Sequence, residues 1–426
     1  MYRGTYAIVD LAAIRQNVAA VRSQLRPGVR LLVTVKANGY GHGAEAVARA
    51  ALAAGATDLG VACLEEALAL RQAGIAAPIL VLGATPQTAA PVAARHRVAL
   101  TVGGDWDWDK VPPLPARLSV HLKVDSGMAR LGVRTAEEAV AAARALAARP
   151  DVSWDGVFTH LACADADDLA HAAAQMDRFR SVCQALADAG LRPPLWHAAN
   201  SAATLRRPDW QGGMVRIGIA AYGYHPGGTW RLPVRLVPAL HLCSFVTRTA
   251  VIAAGETVGY GATFTARRPT RVATVAAGYA DGYPRALSNR ADALVHGERA
   301  RVIGNVCMDQ SMLDVTHLPG VARGDAVTLY GAPAPPGLHA DDWAALPAES
   351  RLAWLGEVWT RWLDACRQDL AAARADAPSG GCARHAGRDA RPGGIFLDEL
   401  AGLAGTIAYE LMCALSPRVP RIYVGA

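Results

Sequence analysis

The sequence predicts an α/β protein: a (β/α)8 barrel followed by a mainly antiparallel β domain. Two observations predict the barrel. Residues 1–235 contain eight short apolar runs, and Ala-rich helix-like segments such as "GAEAVARAALAAG" and "TAEEAVAAARALAAR" lie between several of them. A third observation predicts the second domain. Beyond Pro233 the runs become β-rich, with Gly turns and no long helix. Strands alternating with helices imply a parallel sheet, and eight such units fit a barrel, for which ~250 residues is typical.

The predicted barrel strands are "RLLVTVK" (30–36), "DLGVAC" (58–63), "PILVLG" (78–83), "VALTV" (98–102), "LSVHLKVD" (118–125), "DGVFTHL" (155–161), "LWHAAN" (195–200) and "MVRIGI" (214–219). An open doubly wound sheet is the alternative, but no G-x-G-x-x-G opens the first helix. Residues 236–426 form the predicted β domain, with the first few residues of the chain as candidates to join it. Its β-rich runs include "TRVATVAAGY", "ALVHGERARVIGNVCMDQSMLDVT" and "GDAVTLYG". A block at about 332–394 interrupts it. That block opens Pro-rich, then places Leu352, Leu355, Trp359, Trp362, Leu363, Cys366 and Leu370 on one helical face, and ends in the linker-like "PSGGCARHAGRDARPGG". Either the apolar face packs on its own domain as a tolerated surface insertion, or it is a docking or oligomer surface.

Composition narrows the function. The formal net charge of +6 is spread along the chain with no basic run, which argues against a nucleic-acid partner. No apolar stretch approaches the ~20 residues of a membrane helix, and the N-terminus lacks the basic and apolar regions of a signal peptide. The eight Cys are scattered without C-x-x-C spacing, so they read as reduced thiols of a cytoplasmic protein, with no metal framework. Of 43 cationic residues, only Lys36, Lys110 and Lys123 are Lys. Where a cation suffices Arg serves, so a surviving Lys marks a place where the amine itself is useful.

Barrels carry function at the C-terminal ends of their strands. Lys36, Lys123 with Asp125, His160, His197 with Asn200 and Ser201, and Arg216 all fall there and form a polar, cationic mouth. Lys36 is either a solvated strand-end residue or an amine desolvated by Val33 and Val35, with a lowered pKa and nucleophilic character toward an aldehyde. Gly39, Gly41 and Gly43 let backbone N–H groups approach an anion, and "RIGIAAYG" offers another Gly where barrels often bind phosphate. A reactive amine beside a phosphate cradle suggests pyridoxal 5'-phosphate (PLP).

The block "VKANGYGHG" resembles the PLP-lysine motif of alanine racemases, PLP-dependent isomerases of fold-type III. "HLKVDSGMARLG", "FTHLACAD", "HAANSAA", "MVRIGIAAYG", "VGYGATF", "AAGYADGYPR", "GNVCMDQSM" and "AYELMCALSPRVPR" follow in the family's order, covering roughly 5–332 and 395–426. The resemblance implies a PLP barrel with a C-terminal β domain, working as a head-to-tail homodimer on a small amino acid, alanine. It implies that Lys36 binds the cofactor and is one catalytic base, and that Tyr260 is the base on the opposite face, reaching the partner's site. Without the resemblance, Tyr260 reads as an aromatic packed on the β core. Arg216 matches the residue facing the pyridine nitrogen, with His160 beside it. Arg130 matches the one near the PLP hydroxyl and substrate carboxylate, and Lys123 one that is carbamylated in some members. Tyr40, Asn200, Ser201, Gly218, Ile219 and Tyr409 match cofactor-binding positions, most of them around the phosphate. Met308 and Asp309 match residues around the substrate carboxylate, and Tyr279 the entrance tyrosine. His42 reads as a structural residue capping the next helix.

The family's role implies D-alanine supply for peptidoglycan. The alternatives are a PLP racemase of broader range (serine, lysine or arginine), a decarboxylase on a related barrel, and a non-catalytic PLP-binding barrel. Arg216 counts against the decarboxylase, which places an acid at the pyridine nitrogen, and the β domain with its Tyr260 block counts against the non-catalytic protein. Gly39, where Ala is common in the family, and the 332–394 block are departures from its pattern.

Overall fold

The computed structural model describes residues 3–375 and 393–425. The linker read at 378–394 therefore lies outside the described residues, apart from Gly393 and Gly394, as do Cys382 and the side chain of Leu370. The chain divides into two compact units, Ala13–Val237 and Met1–Ala12 together with Pro238–Ala426.

Strand β1 (Tyr6–Asp10) opens the chain. The eight barrel strands follow as β2 (Arg30–Thr34), β3 (Asp58–Val61), β4 (Ile79–Val81), β5 (Val98–Val102), β6 (Leu118–Lys123), β7 (Val152–Phe158), β8 (Trp196–His197) and β9 (Met214–Ile217). Each pairs in parallel with the next, and β2 pairs with β9. Two backbone bonds close the ring between β8 and β9: Gly213 N–H to Trp196 O (3.1 Å) and Arg216 N–H to Ala199 O (2.9 Å). Helices such as Ala44–Ala53, Ala136–Ala147 and Ala170–Asp188 connect the strands, so the apolar runs have the two-sided burial that parallel sheets need.

Two strands depart furthest from their sequence reading. β7 begins at Val152, ahead of the predicted 155–161 run. Its polar Ser153 and Asp155 belong inside the strand because Asp155 accepts hydrogen bonds from both Ser119 and Ser153. β8 is shorter than predicted because Asn200 leaves the strand to cap helix Ser201–Arg206, its Oδ1 accepting the Ala203 N–H at 3.0 Å.

The second unit holds β10 (Leu240–Ile252), β11 (Thr257–Val258), β12 (Phe264–Thr265), β13 (Thr270–Val275), β14 (Asp292–Val295), β15 (Glu298–Val302), β16 (Ser311–Asp314), β17 (Ala326–Tyr330) and β18 (Arg421–Val424). The sheet order is β13-β16-β15-β14-β17-β10-β1-β18, and β10 also pairs with β13, so six strands close on themselves. All these pairs are antiparallel except β1–β18. A two-residue turn at His296 and Gly297, both at positive φ, joins β14 to β15, as tight hairpins require.

The described part of the 332–394 block packs on its own unit, as the first of the two readings expects. Helix Arg351–Ala375 buries Leu355, Trp359 and Leu363 in one cluster with Tyr6, Ile8, Phe245 and Ile422. Trp359 Nε1 donates to Tyr6 Oη (3.3 Å), Trp362 Nε1 to Pro333 O (2.9 Å), and Arg367 pairs with Asp10 at 2.5 Å. The apolar face read in the sequence is thus spent on the unit's own sheet. No described helix is long and apolar enough to cross a membrane.

Candidate active site

The barrel unit assembles its cations around one imidazole. Arg216, on β9, is almost fully buried. Its Nη1 lies 2.7 Å from His197 Nδ1, and its Nη2 reaches Thr159 O (2.8 Å), Ala198 O (3.0 Å) and His160 Nδ1 (3.2 Å). None of these partners is a carboxylate. Burial and then the Arg130 charge push Arg216 down to about 9, so it still keeps its proton at neutral pH. Among the described residues no acceptor takes its Nε–H. Burial, then Arg216, Arg130, Lys123 and Lys36, hold His160 well below the usual histidine range. Four cations therefore bear on one ring, an environment suited to an anionic ligand.

Lys123 closes β6 with its amine buried, donating to Val124 O at 2.7 Å and lying 5.3 Å over the Phe158 ring. Burial, with Arg216 as the next cause, pushes it down to about 7. The following loop is pinned by Asp125, whose Oδ1 accepts the N–H groups of Gly127, Met128 and Ala129 at 2.8–3.0 Å. That turn presents Arg130 exposed.

Lys36 follows β2 after one residue, Val35, and is half-buried. After it the backbone turns left-handed through Ala37, Asn38, Gly39 and Tyr40, at φ 49–61°. For a residue other than Gly such a conformation costs about 1–2 kcal/mol, and strain of this kind concentrates at functional sites. Glu66 supports the turn: its Oε1 accepts the Ala37 N–H (2.7 Å) and its Oε2 the Ala62 N–H (2.7 Å). The N–H groups of Gly39, Gly41 and Gly43 donate to Val35 O, Ala37 O and Asn38 O. The anion cradle read into these glycines is therefore corrected: their donors are used within the turn. The reading of His42 as a cap is corrected too. Asn38 Oδ1 takes the Ala44 N–H (3.0 Å), while His42 is buried against Tyr222 with its Nδ1 2.8 Å from Tyr40 O.

A second candidate cradle for an anion follows β9. Ser201 Oγ accepts the Gly218 N–H at 3.0 Å, leaving its own O–H to donate. The hydroxyl of buried Tyr40 lies across Gly218, where an added Cβ would sit only 2.7 Å from it. Ile219 is buried beside this cradle, and Asn200 Nδ2 also donates to Leu161 O (3.4 Å). The Ser201 O–H, the Tyr40 hydroxyl and the cations that bear on His160 are groups of the kind that take up the phosphate and ring nitrogen of PLP. The residues present fit that group.

The second unit carries its own cluster. Tyr260 is 75% exposed, so it does not pack on the β core, and the alternative reading of it falls. Asn305 Nδ2 donates to Tyr260 O (2.7 Å). Tyr279 N–H donates to Cys307 O and Ala280 N–H to Met308 O, both at 3.0 Å, which ties the Tyr279 turn to Met308 and Asp309. Tyr279 and Met308 are exposed. Beneath them buried Asp281 pairs with Arg3 (2.5 Å) and Arg418 (2.8 Å), and Arg418 also pairs with Asp309 (2.8 Å). Tyr409 is half-buried on helix Ala408–Cys413.

Sequence reasoning missed Glu66, Asp281, Arg418 and His121. A signal existed for His121: Ser119, His121 and Lys123 alternate along β6, which puts them on one face. Glu66, Asp281 and Arg418 act across long sequence separations that no local pattern marks.

A family model for the alanine racemase N-terminal domain matches residues 9–226, and one for the C-terminal domain matches 239–358. An alanine racemase of Symbiobacterium thermophilum is 40% identical over 99% of this chain and 98% of its own. One of Desulfosudis oleivorans is 44% identical over 77% of this chain and 87% of its own. A solved alanine racemase of Bacillus anthracis, with bound L-Ala-P, superposes with a TM-score of 0.79 at 35% identity, covering 99% of this chain and 95% of that one. The chain belongs to the alanine racemase family.

Proposed function

We propose that this protein is a PLP-dependent isomerase that interconverts L-alanine and D-alanine by a two-base mechanism. The observation that carries the reading is Arg216: a buried cation with no carboxylate partner, in the barrel whose Lys36 charge bears on the same His160. Lys36 would hold the cofactor. Tyr40, Ser201, Gly218, Ile219, Asn200 and Tyr409 would surround its phosphate end, Arg130 would lie near its hydroxyl, and Arg216 would face its ring nitrogen. When bound, PLP supplies an electron sink next to the substrate Cα.

The protein's part is to bind, orient and move one proton. Inversion removes the Cα proton from one face and returns one on the other, so two acid–bases on opposite faces suffice. Lys36 Nζ and Tyr260 Oη fill these roles: whichever accepts the proton, the other, already protonated, delivers one. Arg216 can only donate hydrogen bonds, so it leaves the nitrogen it faces without a proton. That weakens the sink and favours prompt return of the proton over transamination. Arg130, Met308 and Asp309 would hold the substrate carboxylate, and Tyr279 would narrow the entrance. The exposure of Tyr260 suits a residue that serves the barrel of a second copy, in a homodimer with shared sites. We further propose a cytoplasmic enzyme supplying D-alanine for peptidoglycan, in keeping with its described cysteines, all free thiols.

Lys123 is a candidate for carbamylation. A buried amine pushed down to about 7 is about half free base at neutral pH, the form that reacts with carbon dioxide, and a carbamate would balance Arg216 and Arg130. Carbon NMR with labelled bicarbonate should give a carbamate signal that is lost in Lys123→Met; its absence from the intact protein would end that idea.

The function is tested by incubating the protein and PLP in deuterated water with L-alanine, L-serine, L-lysine or L-arginine. Solvent deuterium at Cα and D-isomer from alanine are expected. Preferred turnover of another amino acid would point to a broader racemase, and no exchange with any would reject the racemase reading.

A further inference from the structure

An imidazole pair lies beside Arg216 inside the barrel. His121, on β6, and His197, on β8, are both buried. His121 Nδ1 lies 3.0 Å from His197 Nε2, and His197 Nδ1 lies 2.7 Å from Arg216 Nη1. A guanidinium only donates, so His197 Nδ1 must be the bare, accepting nitrogen. A neutral His197 then carries its proton on Nε2, the atom facing His121. His121 Nδ1 must accept it, which places the proton of His121 on its own Nε2. Both tautomers follow from the fixed donor at the head of the chain. Burial holds both rings below the usual histidine range, His121 at about 4, so each keeps one bare nitrogen at neutral pH.

The barrel makes room for this arrangement. His121 pairs with Gly156 of β7 at the point where the ladder shifts register. A Cβ at residue 156 would lie 2.6 Å from His121 Nδ1, so glycine keeps that nitrogen open. Phe158 stacks flat on His197, with centroids 4.7 Å apart and planes 1° from parallel, which fixes the ring plane but not the tautomer.

We propose that His121 is a positioning residue: by accepting the His197 Nε2–H it keeps His197 Nδ1 bare and so fixes the guanidinium of Arg216. Without that acceptor the His197 Nε2–H is buried and unpaired, so the Nδ1–H tautomer competes with the one that the Arg216 donor selects. Two donors would then face each other, and the guanidinium would turn away. The effect on catalysis rests on the racemase reading; the tautomer does not.

The test compares the holoenzyme with His121→Leu, which removes the acceptor, and His121→Gln, whose amide oxygen replaces it. Nitrogen NMR with labelled histidine reads the tautomer, the His197 signals being assigned by their loss in His197→Asn. The wild type should show Nδ1 bare and Nε2 protonated, His121→Leu a mixture, and His121→Gln the wild-type pattern. In alanine turnover His121→Leu should lower kcat about tenfold or more, the scale of one lost buried hydrogen bond, with KM little changed. It should also raise keto acid formed per D-alanine, and His121→Gln should reverse most of both effects. A protonated Nδ1 in the wild type would overturn the proposal. So would wild-type tautomer and partition in His121→Leu, or equal damage in both variants. A wild type with the stated tautomer that does not racemise alanine would uphold the positioning and defeat the racemase reading.

Discussion

Arg216 is held by donors' complements only: ring nitrogens and carbonyl oxygens, with no counter-ion among its bonds. A buried charge so arranged is maintained for what it does to a ligand rather than for stability. Arg216→Glu should therefore lower racemisation by about 10²-fold or more while increasing keto-acid formation, because a carboxyl can protonate the nitrogen it faces. Equal loss of both activities would indicate simple disruption. Lys123 gives a second test at this scale, through stability. Its pKa is pushed from 10.5 to about 7 in the folded state. Between those values the unfolded chain holds a proton that the folded chain has released, so stability rises with pH through that window. Below it the penalty of burying the charge is fully present. In bicarbonate-free buffer, urea unfolding should show this rise in the wild type and its loss in Lys123→Met; the same slope in both proteins would contradict the assignment.

At the scale of elements, the barrel strands were legible because each is a short apolar run bounded by polar or glycine residues. The start of β7 was not, since Asp155 is polar yet satisfied by Ser119 and Ser153 inside the barrel. Lys36 was legible as an unusual amine at a strand end. The turn after it was not: its glycines suggested open N–H groups, and only the left-handed backbone shows those donors already used. Helix Arg351–Ala375 shows another limit. Its periodicity marked an apolar face but not the sheet it would cover. Because Trp359 is fully buried with Tyr6 and Ile422, Trp359→Ala should destabilise the protein by about 3–5 kcal/mol in urea unfolding. Deleting 338–392 would expose that cluster and should impair folding; a stable, soluble deletion protein would show the helix to be dispensable.

At the scale of the molecule, each unit carries its own cluster of candidate site residues. The barrel unit gathers Lys36, Lys123, His160 and Arg216; the β unit gathers Tyr260, Tyr279, Met308 and Asp309 on linked turns. Tyr260 was legible only by resemblance to a family, because an aromatic in a β-rich run says nothing about which side of the sheet it takes. Its exposure is what a base shared between copies needs. If Lys36 and Tyr260 serve opposite faces of the substrate, Cα deuterium exchange of L-alanine and of D-alanine, followed separately in Tyr260→Phe, should collapse for one enantiomer and persist, through Lys36, for the other; equal loss or equal retention for both would refute the two-base assignment.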